Sequence, residues 1–355
     1  MPDGLSRGRP ILLTADAVGG VWRYALTLAD GLARRGVPAV LAAMGPSPSA
    51  AQRAECAAVP GLRLVDTGLP LDWTAATPAE VLHAASELAS LAAASGASAV
   101  HLHAPALVGQ ARWPAPVAAV AHSCVGTWWA AVRGGPLPDD LAWRAEQTRA
   151  GLRAADAVIA PTAAHAAALD RTYGPVRAHV VHNGGHPMRG SSQRTRCVLT
   201  AGRLWDEGKN AAALDAAAPA LGVPVRAAGP VLGPNGAAAQ LRHMDLLGSL
   251  DAAHMAGQYE SAAVFASLAR YEPFGLAVLE AAQAGCALVL SDIPGFRELW
   301  DGAALFVPHG ADPAPALRQA LDSPDLGAAA QARSARYTVD SMVDGTLAVH
   351  RALAA

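Results

Sequence analysis

The feature that most constrains the fold is an alternation of short apolar runs, rich in β-branched residues, with longer helical segments. Parallel strands buried on both faces have this composition, and each needs a helical crossover to reach the next. The alternation therefore predicts an α/β fold with parallel sheets. Strands are predicted over Ile11–Thr14, Ala39–Ala43, Leu62–Asp66, Ala99–His103, Val117–Ala121, Ala157–Ala160, His179–His182, Cys197–Ala201, Val225–Ala228, Ala263–Ser267, Ala287–Leu290 and Leu305–Val307.

Helices are predicted between these strands from their start and stop signals. Val21–Arg35 is followed by Gly36, a residue that commonly ends a helix. Pro78–Ala94 and Asp139–Ala154 each begin with a residue favoured in a first helical turn, and Ser341–Leu353 is the last helix.

The alternation is interrupted once, by the polar and basic segment GGHPMRGSSQRTR over Gly184–Arg196. A chain of 355 residues exceeds the size of one ordinary core. We predict a linker here, with a hinge near Gly184–Ser192. It separates Rossmann-like domains at residues 1–188 and 189–335, and residues 336–355 form a helix free to pack back on the first domain.

Composition excludes several classes of protein. Hydrophobic residues make up 52% and charged residues 16% of the chain, a balance that argues against disorder. The net charge of −2 gives no basic surface for nucleic acid or an anionic membrane, so no nucleic-acid partner is expected. The cysteines lack the spacing of a zinc site and indicate buried thiols in a reducing cytoplasm; they are Cys56, Cys124, Cys197 and Cys286.

Membrane and secretory segments are also not expected. Met1–Pro10 is not followed by the apolar region of a signal peptide. Pro114–Val132 carries no formal charge but contains two prolines and few large aliphatic residues. We interpret it as a buried strand running into a loop, because a spanning helix needs about 20 strongly apolar residues. A peripheral membrane contact stays open.

The most informative stretch is YEPFGLAVLE, from Tyr271 to Glu280. It follows a predicted strand and opens a helix, with Pro273 in the expected first turn and Gly275 allowing close approach to the backbone. Free N–H groups at a helix start bind phosphate. Glu280, about two turns into that helix, can accept hydrogen bonds from ribose hydroxyls. Glu272, which precedes the helix, can accept hydrogen bonds from the hydroxyls of a hexose. Two glutamates eight residues apart are, by themselves, common on exposed α/β surfaces.

The whole string is more specific. Glu272–Glu280 resembles the E-x7-E motif of the retaining glycosyltransferases of family 4, which have the GT-B fold. Val198–Lys209 (VLTAGRLWDEGK) resembles the strand of that family followed by GRL and a lysine. The resemblance implies two Rossmann-like domains facing across a cleft, with the acceptor side in the first domain and the nucleotide-sugar donor site in the second.

The resemblance also assigns roles to residues of the second domain. Arg203 and Lys209 correspond to the pair that clamps the donor diphosphate, and two cations can stabilise a departing diphosphate without a metal. No cofactor and no metal site are therefore expected. The donor-binding set is completed by Glu272, Phe274, Gly275, Leu276 and Glu280.

In the first domain, Gly19 and Gly20 follow the first strand, and the family has a glycine pair there facing the donor phosphates. The spacing GxGxxG is missing, so an NAD dehydrogenase is not indicated. The resemblance maps His122 onto the histidine that contacts the donor sugar near its reacting centre; a histidine simply satisfied in the core is the alternative. Together with Arg203, Lys209 and Glu272, His122 forms the predicted catalytic set.

Two further groups in this domain are less specific. The predicted loop Gly126–Gly135 carries Trp128, Trp129 and Arg133, which we assign to the acceptor, although paired tryptophans are equally common as hydrophobic anchors. His101 and His103 lie two apart in a strand and face one side, as a metal pair would. No third ligand is evident, and we interpret them as residues of the strand end.

The implied reaction moves a sugar from a nucleoside diphosphate, with UDP- or GDP-sugars the expected donors, to an unknown acceptor hydroxyl. No nucleophilic carboxylate is identifiable, so front-face attack is the working hypothesis. A sugar-nucleotide epimerase and a silent sugar-nucleotide-binding subunit are the alternatives. Asn210 after Lys209 and the sequence SDIPGFRE at Ser291–Glu298 depart from the family pattern and leave the choice of donor open.

Overall fold

Two compact units make up the chain. The computed structural model describes residues 8–188, 193–234 and 236–354. The first unit comprises Met1–Gly184 and Val339–Ala355, and the second comprises Gly185–Thr338. The linker and hinge predicted from the sequence include residues 189–192, which lie outside the described residues.

The first unit is built on a parallel sheet with the strand order β3-β2-β1-β4-β5-β6-β7. Its central strands are buried on both faces, which explains why they are continuous apolar runs and not alternating ones. The strands are β1 Ile11–Asp16, β2 Ala39–Met44, β3 Leu62–Asp66, β4 Ala99–Leu102, β5 Val117–Val120, β6 Ala157–Ala160 and β7 His179–Val180.

Helices cover this sheet, and several begin at residues suited to capping. The side chain of Thr77 accepts from the backbone N–H of Glu80, and that of Thr162 accepts from His165. A 3₁₀ turn covers Pro105–Gln110. The helices are α1 Gly20–Ala33, α2 Ala50–Ala57, α3 Pro78–Ala94, α4 Val125–Val132, α5 Asp139–Ala154, α6 Ala163–Tyr173 and α13 Val339–Ala354.

The last helix, α13, packs on α1 of the same unit. Gly31 of α1 lies so close to Val343 that a β-carbon would overlap that side chain. Arg35 at the end of α1 pairs with Asp340 at 3.2 Å and with Asp344 at 2.8 Å. The contact thus combines a close helix crossing with a charged rim.

The second unit repeats this architecture around a sheet with the order β10-β9-β8-β11-β12-β13. Apolar layers lie on both faces of the sheet. The strands are β8 Thr195–Ala201, β9 Val225–Ala228, β10 Asp245–Gly248, β11 Ala262–Ser267, β12 Ala287–Ser291 and β13 Leu305–Val307. The helices are α7 Ala211–Ala217, α8 Ala252–Ser261, α9 Leu276–Gln283, α10 Pro294–Trp300, α11 Ala314–Leu321 and α12 Asp325–Ser334.

Each sheet has one point where the chain reverses its direction of strand addition. In the first unit β1 lies between β2 and β4, and in the second unit β8 lies between β9 and β11. At such a switch point the crossover helices leave to opposite faces, and a crevice opens outside the carboxyl ends of the strands. The ends of β1 and β4, and those of β8 and β11, are the places where this architecture binds ligands.

The predicted α/β class with parallel sheets is confirmed. One predicted loop is wrong, because most of Gly126–Gly135 lies in α4. Thr127 Oγ1 is 3.0 Å from Cys124 Sγ, and the backbone N–H of Trp128 bonds the carbonyl of Cys124 at 3.0 Å, which starts the helix. Among the described residues, no helix combines the length and the apolar character required to cross a membrane.

Candidate functional site

At the switch point of the second unit, the turn after β8 lies against the turn after β9. Gly229 has a φ of +134°, and a β-carbon there would overlap the carbonyl oxygen of Gly202. The N–H of Gly202 in turn bonds the carbonyl of Ala228 at 3.0 Å. Glycine at 229 is therefore required by close backbone approach, and it sets the path of the segment that carries Arg203 and Lys209.

Asp206 holds this segment together. Its buried carboxylate accepts a hydrogen bond from the N–H of Gly208 at 2.9 Å and one from Arg203 Nη2 at 3.1 Å. Lys209 follows in a 3₁₀ turn, and Asn210 adopts a left-handed conformation with φ +54°. One carboxylate thus orients both predicted diphosphate contacts.

Lys209 and Glu272 meet across the switch point. Lys209 Nζ lies 2.6 Å from Glu272 Oε2, and both side chains are largely buried. The turn between β11 and α9 packs on the Lys209 turn through the N–H of Arg270, which donates to the carbonyl of Gly208 at 2.8 Å. Two residues predicted from separate motifs therefore form one ion pair.

The start of α9 differs from the prediction. The helix begins at Leu276, so Pro273 precedes it and does not lie in its first turn. The cause is Gly275, whose φ of +89° and ψ of +69° are incompatible with a helical residue. A β-carbon at 275 would lie 3.3 Å from Glu272 Cγ. Glycine thus keeps the helix start clear and allows Glu272 to fold against it.

The positions of the other predicted donor residues depend on where α9 begins. The Phe274 side chain is buried in the core against Tyr337, so only its backbone can face a ligand. Glu280 is partly exposed and is the fifth residue of α9, one turn beyond Leu276 and not two turns into the helix. Leu276 and Glu280 share a helix face because they are four residues apart.

At the switch point of the first unit, Gly19 and Gly20 follow β1, as predicted; Gly19 is the N-cap of α1 and Gly20 is its first residue. The carboxylate of Asp16 accepts from the N–H of Gly19 at 3.2 Å and so shapes the turn. Gly19 has an extended conformation with φ −153°, and a β-carbon there would have one near neighbour, Asp16 Oδ1 at 3.8 Å. Gly19 is the N-cap residue of α1, a position that itself favours glycine, and its assignment to the donor stays a prediction.

His122 and His103 lie together at the same edge. His103 Nδ1 is 2.9 Å from His122 Nε2, and the Tyr24 ring stands edge-on to both imidazoles, with centroid separations of 5.1 and 4.6 Å. His101, interpreted from sequence as a strand-end residue, is instead fully buried within β4, with its Nδ1 3.1 Å from Nε2 of His350. In the described residues no group of side chains has the arrangement of a metal site.

Burial keeps these rings uncharged. It lowers the pKa of His122 to about 3 and holds the pKa values of His101 and His103 well below the ordinary value of a histidine. Burial also raises the pKa of Asp72, which lies near Asp16, to about 6. This edge of the first unit therefore disfavours charge on both acids and bases.

The residues assigned to the acceptor lie on and just after α4. The rings of Trp128 and Trp129 are 6.3 Å apart and inclined by 52°. Consecutive helical residues point about 100° apart, so the rings form a corner and not a flat platform. Arg133 is exposed directly after the helix. Their role stays a prediction.

Most of the chain also matches known families of proteins. Residues 18–187 match the family model of Glycosyltransferase Family 4, and residues 195–323 match that of Glycosyl transferases group 1. The chain is a glycosyltransferase of the GT-B fold. The match over residues 18–187 confirms the expected resemblance to glycosyltransferases of family 4. No curated protein matches the sequence.

Solved structures of the same fold resemble this glycosyltransferase over nearly its whole length. Sucrose-phosphate synthase from Thermosynechococcus elongatus has a TM-score of 0.78 at 19% identity, covering 97% of this chain and 99% of that one. Anabaena HepE in complex with UDP-glucose has a TM-score of 0.69 at 17% identity, with 96% and 98% covered. WaaG, a glycosyltransferase involved in lipopolysaccharide biosynthesis, has a TM-score of 0.69 at 15% identity, with 96% and 99% covered.

Sequence reasoning missed two contributors. Asp206 was not singled out, although a carboxylate three residues after Arg203 is well placed to cap the following turn. The partnership of His103 with His122 was also missed. The adjacency of β4 and β5 could have indicated it, since residues following neighbouring parallel strands meet at one edge.

Proposed function

We propose that this glycosyltransferase moves a sugar from a nucleoside diphosphate to an acceptor hydroxyl with retention of the anomeric configuration. The observation that carries the proposal is the Lys209–Glu272 ion pair, at 2.6 Å, between the β8 turn and the start of α9. The pair supports the proposal because it joins a cation suited to phosphate and a carboxylate suited to sugar hydroxyls near the N-terminus of α9.

The second unit supports binding of the nucleoside diphosphate. Arg203, oriented by Asp206, and Lys209 would meet the diphosphate, whose negative charge grows as the glycosidic bond breaks. The helix start after Gly275 adds aligned N–H groups. Glu280 would accept hydrogen bonds from the ribose. This set meets the diphosphate charge with protein groups, and we propose that no metal cofactor is required.

The first unit supports the sugar and the acceptor. Gly19 and Gly20 leave room for phosphate at the N-terminus of α1. His122, neutral because of burial, would donate or accept a hydrogen bond at the donor sugar without adding charge. Trp128, Trp129 and Arg133 would contact the acceptor.

Front-face substitution accounts for retention. The acceptor oxygen attacks the anomeric carbon on the side that the diphosphate leaves, through an oxocarbenium-like transition state, and the acceptor proton passes to the departing phosphate oxygen. The carboxylates of Glu272 and Asp206 are each already held by a cation. This engagement suits them to accepting hydrogen bonds and to orienting cations more than to attacking carbon.

UDP- and GDP-sugars are the proposed donors, with support from the HepE complex with UDP-glucose. We propose a cytoplasmic location, consistent with buried free thiols such as Cys56 and Cys197. The similarity to WaaG favours an acceptor within a polysaccharide or glycoconjugate.

The experiment is a thermal melt with UDP, GDP, ADP, dTDP and their common sugars, followed by NMR of any product formed. A ligand at 100 times its Kd stabilises by about 2.7 kcal/mol, which shifts the midpoint by a few degrees. A shift with one nucleotide that disappears in Lys209→Ala, with a retained anomer in the product, supports the proposal. An inverted anomer contradicts retention, and rearranged donor without acceptor would favour an epimerase.

A further inference from the structure

Two imidazoles at the carboxyl edge of the first sheet share one hydrogen bond. His103 directly follows β4 and His122 follows β5, which is the neighbouring strand. The 2.9 Å between His103 Nδ1 and His122 Nε2 requires a proton on one nitrogen and a lone pair on the other. The pair therefore has a defined direction.

Both rings are neutral when they make this bond. Burial lowers the pKa of each far below neutrality, so each imidazole carries a single proton. Only two arrangements remain: His103 donates to His122, or His122 donates to His103.

The other nitrogen of His103 decides between them. His103 Nε2 is buried and makes no hydrogen bond with any described residue. If His122 donated, the single proton of His103 would lie on Nε2 as a buried, unpaired N–H, which is rare in proteins. If His103 donates, Nε2 is a bare lone pair. The favoured direction is therefore from His103 to His122.

Neighbouring groups hold this arrangement in place. The backbone N–H of His103 donates to Thr14 Oγ1 in β1 at 3.0 Å, which secures the end of β4. Tyr24 contacts both imidazoles edge-on, so neither ring can turn freely.

We propose that His103 is a positioning residue that donates its Nδ1 proton to His122 Nε2 and thereby holds His122 in the tautomer that presents an Nδ1–H. The proposal rests on the proposed function, in which His122 meets the donor sugar. An N–H at that point donates to a sugar oxygen, so His103 determines that His122 acts on the donor as a hydrogen-bond donor and not as an acceptor.

Imidazole ¹⁵N NMR of the full chain, labelled at histidine, measures the tautomer directly. Three substitutions change one property at a time. In His103→Asn the amide N–H takes the place of Nδ1–H, and His122 keeps its proton on Nδ1. In His103→Leu the partner is lost, and in His103→Asp it becomes an acceptor. In both of these His122 shifts to the Nε2–H form, most completely beside Asp.

Turnover of nucleotide sugar is measured on the same proteins. We expect kcat in His103→Leu and His103→Asp to fall about tenfold, the loss of one hydrogen bond in the transition state, with His103→Asn restoring most of it. KM for the donor should change less than kcat. His350→Gln is the matched control, since His350 contacts His101 within the same cluster, and it should leave the His122 tautomer unchanged.

An unchanged His122 tautomer in His103→Leu overturns the inference, whatever the activity. A shifted tautomer with unaltered kcat overturns it as well. If the wild-type protein neither binds nor turns over any nucleotide sugar, the proposed function fails, while the NMR result still decides whether His103 sets the tautomer.

Discussion

The two switch points of this glycosyltransferase use opposite electrostatics. At the second-unit switch point, Arg203, Lys209, Asp206 and Glu272 are charged and paired with one another at 2.6 to 3.1 Å. At the first-unit switch point, burial keeps His122 neutral and disfavours the charged form of Asp72. The same topology thus carries paired charges at one edge and neutral imidazoles at the other.

Under the proposed function, this difference would match the parts of a nucleotide sugar. A diphosphate gains charge during transfer and needs cations, whereas a hexose offers only hydroxyl and ring oxygens. Neutral hydrogen-bonding groups read such oxygens without the cost of desolvating a charge. The comparison teaches that two sheets of the same topology can present different electrostatics at corresponding strand ends.

The largest expected effect is a loss of stability on acidification. It tests whether the buried histidines of the first unit are neutral in the folded protein. Burial lowers the pKa of His165 and of His350 to about 4, and that of His101 far below its ordinary value. Between the unfolded pKa near 6.5 and these folded values the unfolded chain binds more protons, so stability falls as the pH falls. From pH 7.5 to 5.0 each of the three should cost about 2 kcal/mol.

Denaturant unfolding at the two pH values measures the total, and hydrogen exchange assigns it to a unit. First-unit amides should lose protection before those of the second unit. The control is His165→Asn, in which the loss on acidification should shrink by about 2 kcal/mol, the contribution of that one histidine. Equal loss of protection in both units would contradict the proposed contrast.

The charged switch point is tested by removing one cation. Lys209→Ala should lower kcat by about 100-fold to 1,000-fold, because the diphosphate loses a donor that acts in the transition state and Glu272 loses its partner. Arg196→Ala is the matched control, since Arg196 is an exposed cation of the same unit paired with Asp322 at 2.6 Å. Steady-state kinetics should show a change within about twofold for that control. Comparable losses in both variants would show that Lys209 has no special role.

Substitution of Asp206 separates the orientation of the Arg203 guanidinium from the presence of its charge. Asp206→Asn keeps an oxygen for the Gly208 N–H and weakens the hold on Arg203. We expect about a tenfold loss in kcat/KM, smaller than that of Arg203→Ala. A double-mutant cycle between the two positions should show strong coupling, and additive effects would mean that Asp206 acts only on the backbone.

Gly19 and Gly275 test whether each switch point needs glycine for a ligand or for the backbone conformation. Gly19→Ala should cost no more than about 1 kcal/mol of stability, since its β-carbon has space and an ordinary φ and only the N-cap preference for glycine is lost. It should nevertheless weaken donor binding several-fold. Gly275→Ala, at φ +89°, should cost about 1–2 kcal/mol of stability. Thermal melts with and without UDP-sugar separate the two, and unchanged donor affinity in Gly19→Ala would remove the ligand explanation.

The smallest effect concerns the acceptor. Trp128→Ala and Trp129→Ala should slow transfer to the acceptor several-fold more than hydrolysis of the donor, if the corner that their rings form binds the acceptor. Product analysis in the same reaction gives both rates. Equal loss of the two would assign the tryptophans to packing.

Much of the fold could be predicted because its strands are buried on both faces and therefore stand out as apolar runs. Pro78–Ala94 and Asp139–Ala154 were predicted with the observed bounds, since their start signals are local. The edge strand Asp245–Gly248 was missed because it is mostly exposed and carries no apolar pattern. The start of α9 was misplaced because Pro273 is a good first residue, while the conformation of Gly275 depends on Glu272 and Phe296 around it.

The candidate site was predictable as separate motifs but not as contacts. The sequence indicates Arg203, Lys209 and Glu272, yet the 2.6 Å pair depends on β8 and β11 being neighbours. The His103–His122 bond likewise depends on the β4–β5 pairing. Strand order is a long-range property, and no local window of residues contains it.

The return of α13 to the first unit has a consequence for biosynthesis. A ribosome that has translated the chain as far as Thr338 has already produced all of the second unit. At that moment His101 still lacks His350, and Gly31 has no Val343 against it. The unit that is translated first is therefore completed last. A nascent chain can contain the whole sequence of the second unit while the first unit still lacks α13.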